Sequence, residues 1–132
     1  AAECLARARE IANARGELIE CQMISEAATI EELTGIPQQA LARCREAVEM
    51  AERSGDLFNR VLTTIHLAQA QLMHGDAAGA LESLLRVDRL QRERGVAGNH
   101  LNLSQALLAE SHLAAGDAAS ARAVANSAVV EL

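Results

Sequence analysis

Glycine residues recur along this chain at a nearly constant interval, and that interval limits the possible folds more than any other feature of the sequence. Gly35, Gly75 and Gly116 lie 40 and 41 residues apart, and each is followed by alanine five residues later. A period of this length is typical of proteins that stack one supersecondary unit on the next. The sequence therefore predicts a repeat protein.

A second series of glycines divides each period into two parts. Gly16, Gly55 and Gly95 are 39 and 40 residues apart, and each closes a segment rich in alanine, arginine and glutamate. Glycine commonly ends a helix, because it adopts the left-handed conformation without a Cβ penalty. Aspartate often follows and is a strong N-cap, while Pro37 suits a first helical turn. One period is therefore predicted to hold two helices, which such short connections make antiparallel. The capping aspartates are Asp56, Asp76 and Asp117.

The predicted map has seven helices in a single repeat domain that covers residues 1–132. An orphan second helix at 2–15 precedes three complete hairpins at 17–53, 56–94 and 97–131. Because this first helix lacks its partner, and because the chain starts inside a helical pattern without Met, we expect it to derive from a longer protein. The seven helices are expected at 2–15, 17–33, 37–53, 56–74, 77–94, 97–114 and 118–131.

The apolar residues are of the kind that helices favour. Half of the chain is hydrophobic, but Phe58 is its only aromatic residue, and alanine and leucine supply most of the apolar positions. Both are strong helix formers, whereas the β-branched and aromatic runs that strands favour are scarce. These observations predict an all-α fold whose many small side chains allow close helix packing.

The charge balance argues against nucleic-acid and membrane partners. The formal net charge is -6, and all twelve basic residues are arginine. An acidic chain without a basic patch is a poor ligand for a phosphate backbone or an anionic membrane. The three cysteines, Cys4, Cys21 and Cys44, are too far apart in sequence for a CxxC pair, and no stretch reaches the roughly 20 apolar residues of a membrane span. We predict a cytoplasmic protein.

The repeat resembles the tetratricopeptide repeat (TPR). That family is marked by a small residue within the first helix, glycine at the turn, alanine five residues later and a small residue seven further on. These small residues matter because they let two helix axes approach each other. The marks fall here at Ala28, Gly35, Ala40 and Ala47; at Ala68, Gly75, Ala80 and Val87; and at Ala109, Gly116, Ala121 and Ala128.

The chain departs from the TPR pattern in two respects. Thr64 and Gln71 stand where the family has aromatic residues, and the period is near 40 residues rather than about 34. The longer period is similar to that of helical repeats in large bacterial ATP-dependent transcriptional regulators and in some multidomain nucleotide cyclases. The resemblance implies a right-handed superhelical stack of antiparallel hairpins, an α-solenoid, that binds proteins within a bacterial regulatory or signalling protein.

The sequence contains no pattern that indicates catalysis, a metal site or a cofactor. His66 and His74 lie on roughly one helix face but are eight residues apart, too far to share an ion, and no HExxH or CxxC motif accompanies them. Glu31 and Glu32 are adjacent on a helix and therefore point in different directions. No glycine-rich phosphate loop is present. We predict a protein that is not an enzyme and that holds neither metal nor cofactor.

The resemblance implies that the first helix of each hairpin lines the concave side of the stack. The register of these helices then selects the inward-facing residues, which we expect to bind a protein partner, either a peptide or a helix. The inward-facing set is Gln22, Ser25, Thr29 and Glu32; Leu62, Ile65, Gln69 and Met73; and Leu103, Ala106, Glu110 and Leu113.

Three alternatives stay open at this point. In the first alternative, the apolar members of the inward-facing set only pack against a neighbouring repeat. On another, the segment is a spacer or relay between other domains. On the third, the curved face binds a small-molecule effector, as an effector-sensing domain of a transcriptional regulator or nucleotide cyclase would do. Because a truncated solenoid exposes the apolar faces of its end helices, we also expect a homodimer at high concentration.

Overall fold

The computed structural model describes an all-helical chain, which confirms the predicted fold class. The helices are α1 (Pro37–Ser54), α2 (Leu57–Met73), α3 (Ala77–Arg94), α4 (Asn99–Ala114) and α5 (Ala118–Val130). Helical residues also precede α1 at 24–30, and the part of the chain described holds no β-strand. The residues that the structure describes are 3, 4, 6, 7, 10, 24–30, 34, 35, 37–94 and 99–130.

The five helices occupy the positions of the last five helices in the predicted map, with ends that differ by at most two residues. Most of the predicted helix 2–15 and the first part of 17–33 lie outside the described residues. Within 2–15, the described residues are helical, and Arg7 forms an exposed ion pair of 2.9 Å with Glu10. The extent of the domain stays a prediction.

The helices form two layers, and the packing between them reveals the direction of curvature. Each helix from α1 to α5 packs against the next one along the chain, and α2 in addition contacts α4. Among the described residues, the backbones of α1 and α3 do not approach each other within 8 Å between Cα atoms, and neither do those of α3 and α5. Because α2 and α4 approach each other more closely than the helices of the other layer, the stack curves toward the side of α2 and α4.

In the turn between α2 and α3, glycine ends the first helix and aspartate caps the second. Gly75 has a φ of 78°; its N–H donates to Leu72 O at 3.0 Å, and the Asp76 N–H donates to Gln71 O at 2.8 Å. This pair of bonds is a Schellman motif, which satisfies the last carbonyl groups of α2. The Asp76 carboxylate then accepts the Gly79 N–H at 2.9 Å and so caps α3.

The same arrangement recurs between α4 and α5. Gly116 has a φ of 84°, and the Asp117 N–H donates to His112 O at 2.8 Å. The Asp117 carboxylate caps α5 by accepting the Ser120 N–H at 3.0 Å. Hydrogen bonds from the side chain and backbone of Ser120 hold the pKa of Asp117 below its usual value, and His112 acts in the same direction. Asp56 likewise caps α2 through the Asn59 N–H at 2.8 Å, so all the predicted caps are present.

Small residues lie at the contacts between helices, as the repeat pattern predicts. Ala28, Ala68 and Ala80 are completely buried, and so are Ala40, Ala47 and Val87. The apolar core formed by α2, α3 and α4 contains Val61, Ile65, Ala68, Ala80, Leu84, Val87, Leu107 and Leu108. Two smaller clusters join the segment 24–30 to α1 and α2.

Polar side chains occupy the places where the TPR family has aromatic rings. Thr64 is buried, and its hydroxyl donates to Arg60 O at 2.6 Å within the same helix. Gln71 is also buried, and its side-chain oxygen accepts the Ser83 hydroxyl of α3 at 2.8 Å. Gly79 leaves room for the Asp76 carboxylate and for this amide, because a Cβ at position 79 would clash first with Asp76 and would also lie 2.8 Å from Gln71 Nε2. A hydrogen bond thus joins α2 and α3 at the position where the TPR family has an aromatic residue.

An ion-pair network connects three successive helices. The Glu52 carboxylate of α1 binds Arg60 of α2 at 3.1 Å and also binds Arg86 of α3. These side chains are only partly exposed, so solvent screens their attraction less than it would at a fully exposed site. The network thus links α1 to both α2 and α3 through one carboxylate.

The last helix shows an uncovered face. Leu84 and Val87 of α3 are buried, and their equivalents one repeat later are Ala125, which is exposed, and Ala128, which is only partly buried. Helix α4 covers the first pair, whereas no described element covers the second pair. The expected homodimer through a terminal helix therefore stays a prediction, now assigned to a definite face.

We expect the protein to dimerise at high concentration, and we expect Ala125→Glu to weaken the dimer because it places a charge on the uncovered face of α5. Ala123→Glu adds the same charge on the exposed face equivalent to Glu82 and is the matched control. Light scattering over a concentration series measures both variants. Strictly monomeric wild-type protein at millimolar concentration would show that this prediction is wrong.

Replacing Gly75 with alanine is expected to lower the free energy of unfolding by about 1–2 kcal/mol, since an L-residue is disfavoured in the left-handed region. No heavy atom lies within 4 Å of an added Cβ, so the loss comes from backbone conformation rather than from a clash. Gly75→Asn is the control, because asparagine tolerates this region better. Urea denaturation measures both losses, and equal losses would contradict the explanation.

Candidate functional site

Helices α2 and α4 form the inner layer of the stack, on the side toward which it curves. A pocket opens between them, and we call it the α2–α4 pocket. Its volume is about 250 Å³. Four of its six lining residues are apolar, and the two polar ones are an amide and a carboxylate. The lining residues are Gln69, Leu72 and Met73 of α2 and Leu107, Glu110 and Ala114 of α4.

Helical spacing explains why these residues share one pocket. On α4 the lining residues are three, four and seven positions apart, and on α2 Leu72 and Met73 lie three and four positions after Gln69, so each set shares one helix face. Leu107 is buried and Leu72 partly buried, so they form the floor of the pocket, and both belong to the central core or pack against it. Gln69 and Met73 are exposed at the rim, and the exposed fraction of Met73 is 57%.

The two polar residues of the pocket are not engaged within the described chain. Glu110 is exposed, and it forms no hydrogen bond or ion pair with any described residue. The same holds for Gln69. Both polar groups at the rim are thus open to a ligand from outside.

Three of the inward-facing residues predicted from the sequence meet in this pocket: Gln69, Met73 and Glu110. Leu103 lies on the same face of α4, two turns before Glu110, and is 46% exposed. Leu62 lies one turn before Ile65 and His66 on α2 and is partly buried. Their proposed contact with a partner stays a prediction, but their positions on α2 and α4 agree with it.

Two other residues of the predicted set cannot contact a partner in this conformation. Ile65 is completely buried in the central core. Ser25 is completely buried as well, and it forms a hydrogen bond with His66 of α2. This corrects the expectation that both face the groove, and for Ile65 it favours the alternative in which an apolar residue packs between repeats.

The remaining residues of the predicted set divide in a similar way. Thr29 is partly buried, and its hydroxyl donates to Ser25 O at 3.2 Å. Ala106 and Leu113 of α4 are exposed, Leu113 at 63%. Gln22 and Glu32 lie outside the described residues.

Register alone did not identify Leu72, Leu107 and Ala114, although a signal for them was present. Each lies three or four positions from a predicted residue on the same helix: Leu72 from Gln69, and both Leu107 and Ala114 from Glu110. The prediction took one residue per helical turn, as suits a helix facing a flat surface. A pocket between two helices takes the side chains on both flanks of each facing stripe.

The side chains that bind metal ions in proteins are chiefly those of His, Cys, Asp and Glu. No three of them lie together in the described part of the chain, as a metal site would need. Cys44 is buried among Ala28, Ala40 and Ala70, where a thiol acts as a small apolar side chain. None of the described helices is long and apolar enough to cross a membrane.

Comparison with known proteins places the fold. No protein-family model matches the chain, and no curated protein matches it. Among solved structures, the crystal structure of the TPR domain of Arabidopsis FLU is similar, with a TM-score of 0.77 and 15% sequence identity. The match covers 87% of this chain and 93% of that one. The chain thus has a TPR-like helical fold.

Ile65→Ala and Gln69→Ala should separate core residues from groove residues on the same helix. We expect Ile65→Ala to lower the free energy of unfolding by about 2–5 kcal/mol, because it removes buried methyl groups and leaves a cavity. Gln69→Ala should change it by less than about 0.5 kcal/mol, as is usual for an exposed side chain. Urea denaturation measures both, and comparable losses would contradict the assignment of Gln69 to an open groove.

Proposed function

We propose that this chain is a non-catalytic interaction scaffold that binds a protein segment along the inner face of α2 and α4. The α2–α4 pocket is the observation on which the proposal rests, because it is an open recess on the side toward which the stack curves. Stacked repeats present such concave surfaces to their partners. The TPR-like fold supports this class of function, although a fold alone does not establish it.

The exposed side chains of the inner layer fit a protein better than a nucleic acid. Outside 99–102, only one exposed side chain on α2 and α4 is charged, and it is the carboxylate of Glu110. Arg60 is half-buried and is held by Glu52 of α1. A phosphate backbone needs clustered cations, which this surface lacks. The exposed side chains are Phe58, Gln69, Met73, Leu103, Ala106, Glu110, Leu113 and Ala114.

Several large apolar residues are exposed on α2 and α4, although a helix face that only contacts solvent is usually polar. Phe58, Met73, Leu103 and Leu113 are all large and between 46% and 63% exposed. Met73 lies at the rim of the α2–α4 pocket, and an exposed apolar group beside an apolar recess is typical of a surface that another molecule covers. We infer that a partner buries Met73.

The effector-sensing alternative receives less support from the pocket. Pockets for small molecules usually measure about 300–1,000 Å³ and enclose most of the ligand, whereas this one measures about 250 Å³ and opens to solvent. Its dimensions suit a single side chain of a larger partner. A rise in melting temperature with a member of a metabolite panel would favour the alternative, since a ligand of the folded state stabilises that state.

The biological setting that we propose is a bacterial regulatory or signalling protein in the cytoplasm. The repeat period near 40 residues supports it, through the resemblance to long-period repeats of bacterial transcriptional regulators. The exclusive use of arginine among the basic residues also suits a GC-rich bacterial genome.

A photo-crosslinking amino acid at position 73 should capture a partner in the cells that produce the protein. The same amino acid at position 85 is the matched control, because Leu85 is also a large exposed apolar residue, at 40%, but lies on α3 outside the pocket. We expect crosslinked species that appear from position 73 only, and Gln69→Ala combined with Glu110→Ala should reduce them. Equal crosslinking from both positions, or none from position 73, would contradict binding in the groove.

A further inference from the structure

We propose that the segment bound by this groove is an amphipathic helix that inserts one large apolar side chain into the α2–α4 pocket and places a lysine or arginine beside Glu110. This inference rests on the proposed function and specifies the chemistry of the partner.

The hydrogen-bonding capacity of the groove favours a helix over an extended strand. An extended segment brings unpaired backbone N–H and C=O groups to the surface that it covers, and each of them needs a partner once water is excluded. The four apolar lining residues of the pocket cannot form such a bond through their side chains: Leu72, Met73, Leu107 and Ala114. Gln69 and Glu110 are the only side chains of the pocket able to form one. A helix satisfies its backbone groups internally, so it can bury an apolar face here without that cost.

The charge of the groove favours a cation at one position. Glu110 is exposed and unengaged within the described chain, and apolar neighbours line most of the pocket beside it. A bound apolar surface would exclude water from its surroundings and strengthen the attraction of the carboxylate for a positive charge. The net charge of -6 acts in the same direction at longer range, because it attracts basic segments and repels acidic ones.

The pocket volume is sufficient for a large anchoring side chain. A recess of about 250 Å³ accepts one leucine, methionine or phenylalanine side chain, and such a residue at the centre of an interface usually supplies much of the binding free energy. On a helix, the residue that contacts Glu110 would then lie three or four positions from the anchor, on the same face. The partner is therefore expected to present an apolar residue and a basic residue at that spacing.

Two displayed libraries of 15-residue peptides test the proposal with the intact chain. One library uses only alanine, leucine, glutamate, glutamine and lysine, which favour helices; the other carries proline at every fourth position, which prevents a helix. Both have zero mean charge. Selection uses the wild-type protein, with counter-selection against Met73→Glu, which places a charge at the rim of the pocket. We expect enrichment from the first library alone, with lysine three or four positions from leucine.

The affinity of the enriched peptides for charge-reversal variants tests the position of the cation. Glu110→Arg should weaken binding about tenfold or more, because it replaces an attraction with a repulsion. Glu82→Arg makes the same change in net charge at an exposed site of α3, and it should weaken binding less than about twofold. Replacing the selected lysine with glutamate should restore binding to Glu110→Arg.

The other outcomes overturn different parts of the proposal. Enrichment of the proline library, or of acidic peptides, with loss of binding to Met73→Glu would retain the groove and refute the basic helix. Equal weakening by Glu110→Arg and Glu82→Arg would refute the contact with Glu110. The absence of enrichment from either library would refute peptide binding in the groove and, with it, the proposed function.

Discussion

The fold depends on a two-residue turn in which glycine ends one helix and aspartate begins the next. At Gly75 and Asp76 the backbone reverses within a single Schellman motif, and the aspartate carboxylate caps α3 without any intervening loop. So short a connection leaves α2 and α3 no arrangement other than antiparallel contact. Because Gly116 and Asp117 repeat the same bonds between α4 and α5, the second pair has the same geometry as the first. The packing of α3 against α4 stacks the second pair on the first, so that α2 and α4 lie in one layer and the groove forms between them.

Close packing of the layers required small residues, and it allowed polar contacts where a related repeat would place aromatic rings. A ring at position 71 would fill the space between α2 and α3 by its size. Here Gln71 fills it, bonds to Ser83 and depends on the missing Cβ of Gly79. A buried hydrogen bond is directional and must be satisfied, so this contact constrains the register of α2 on α3. The three residues therefore act as one unit, and the departure from the family pattern has a structural explanation.

Sequence periodicity was enough to predict α1 to α5 and the aspartate caps of α2, α3 and α5, because glycine, aspartate and alanine have local conformational roles. The layer expected to line a groove came from the resemblance to the tetratricopeptide repeat. Periodicity was not enough to predict how deeply each side chain is buried. Ile65 and Gln69 are four residues apart and lie on one face of α2, yet the first is completely buried and the second is exposed. Burial at Ile65 depends on neighbouring helices, and so does burial at Ser25 beside His66. Such depth depends on how closely helices distant in sequence approach, which periodicity does not encode.

The same convergence of helices shapes the groove in which we propose that a partner binds. Where α2 and α4 meet, Leu72 and Leu107 close the floor, and the recess above them remains open because Ala114 fills little of the space at its side. Apolar walls of this kind favour any apolar side chain of suitable size, and they discriminate weakly among partners. Glu110 adds discrimination in the proposed complex. An acidic group placed beside it incurs a repulsion, and an uncharged polar group loses an attraction. In the proposed complex, affinity and selectivity would therefore come from different residues of one pocket: burial of the exposed Met73 would provide the first, and the Glu110 carboxylate would provide the second.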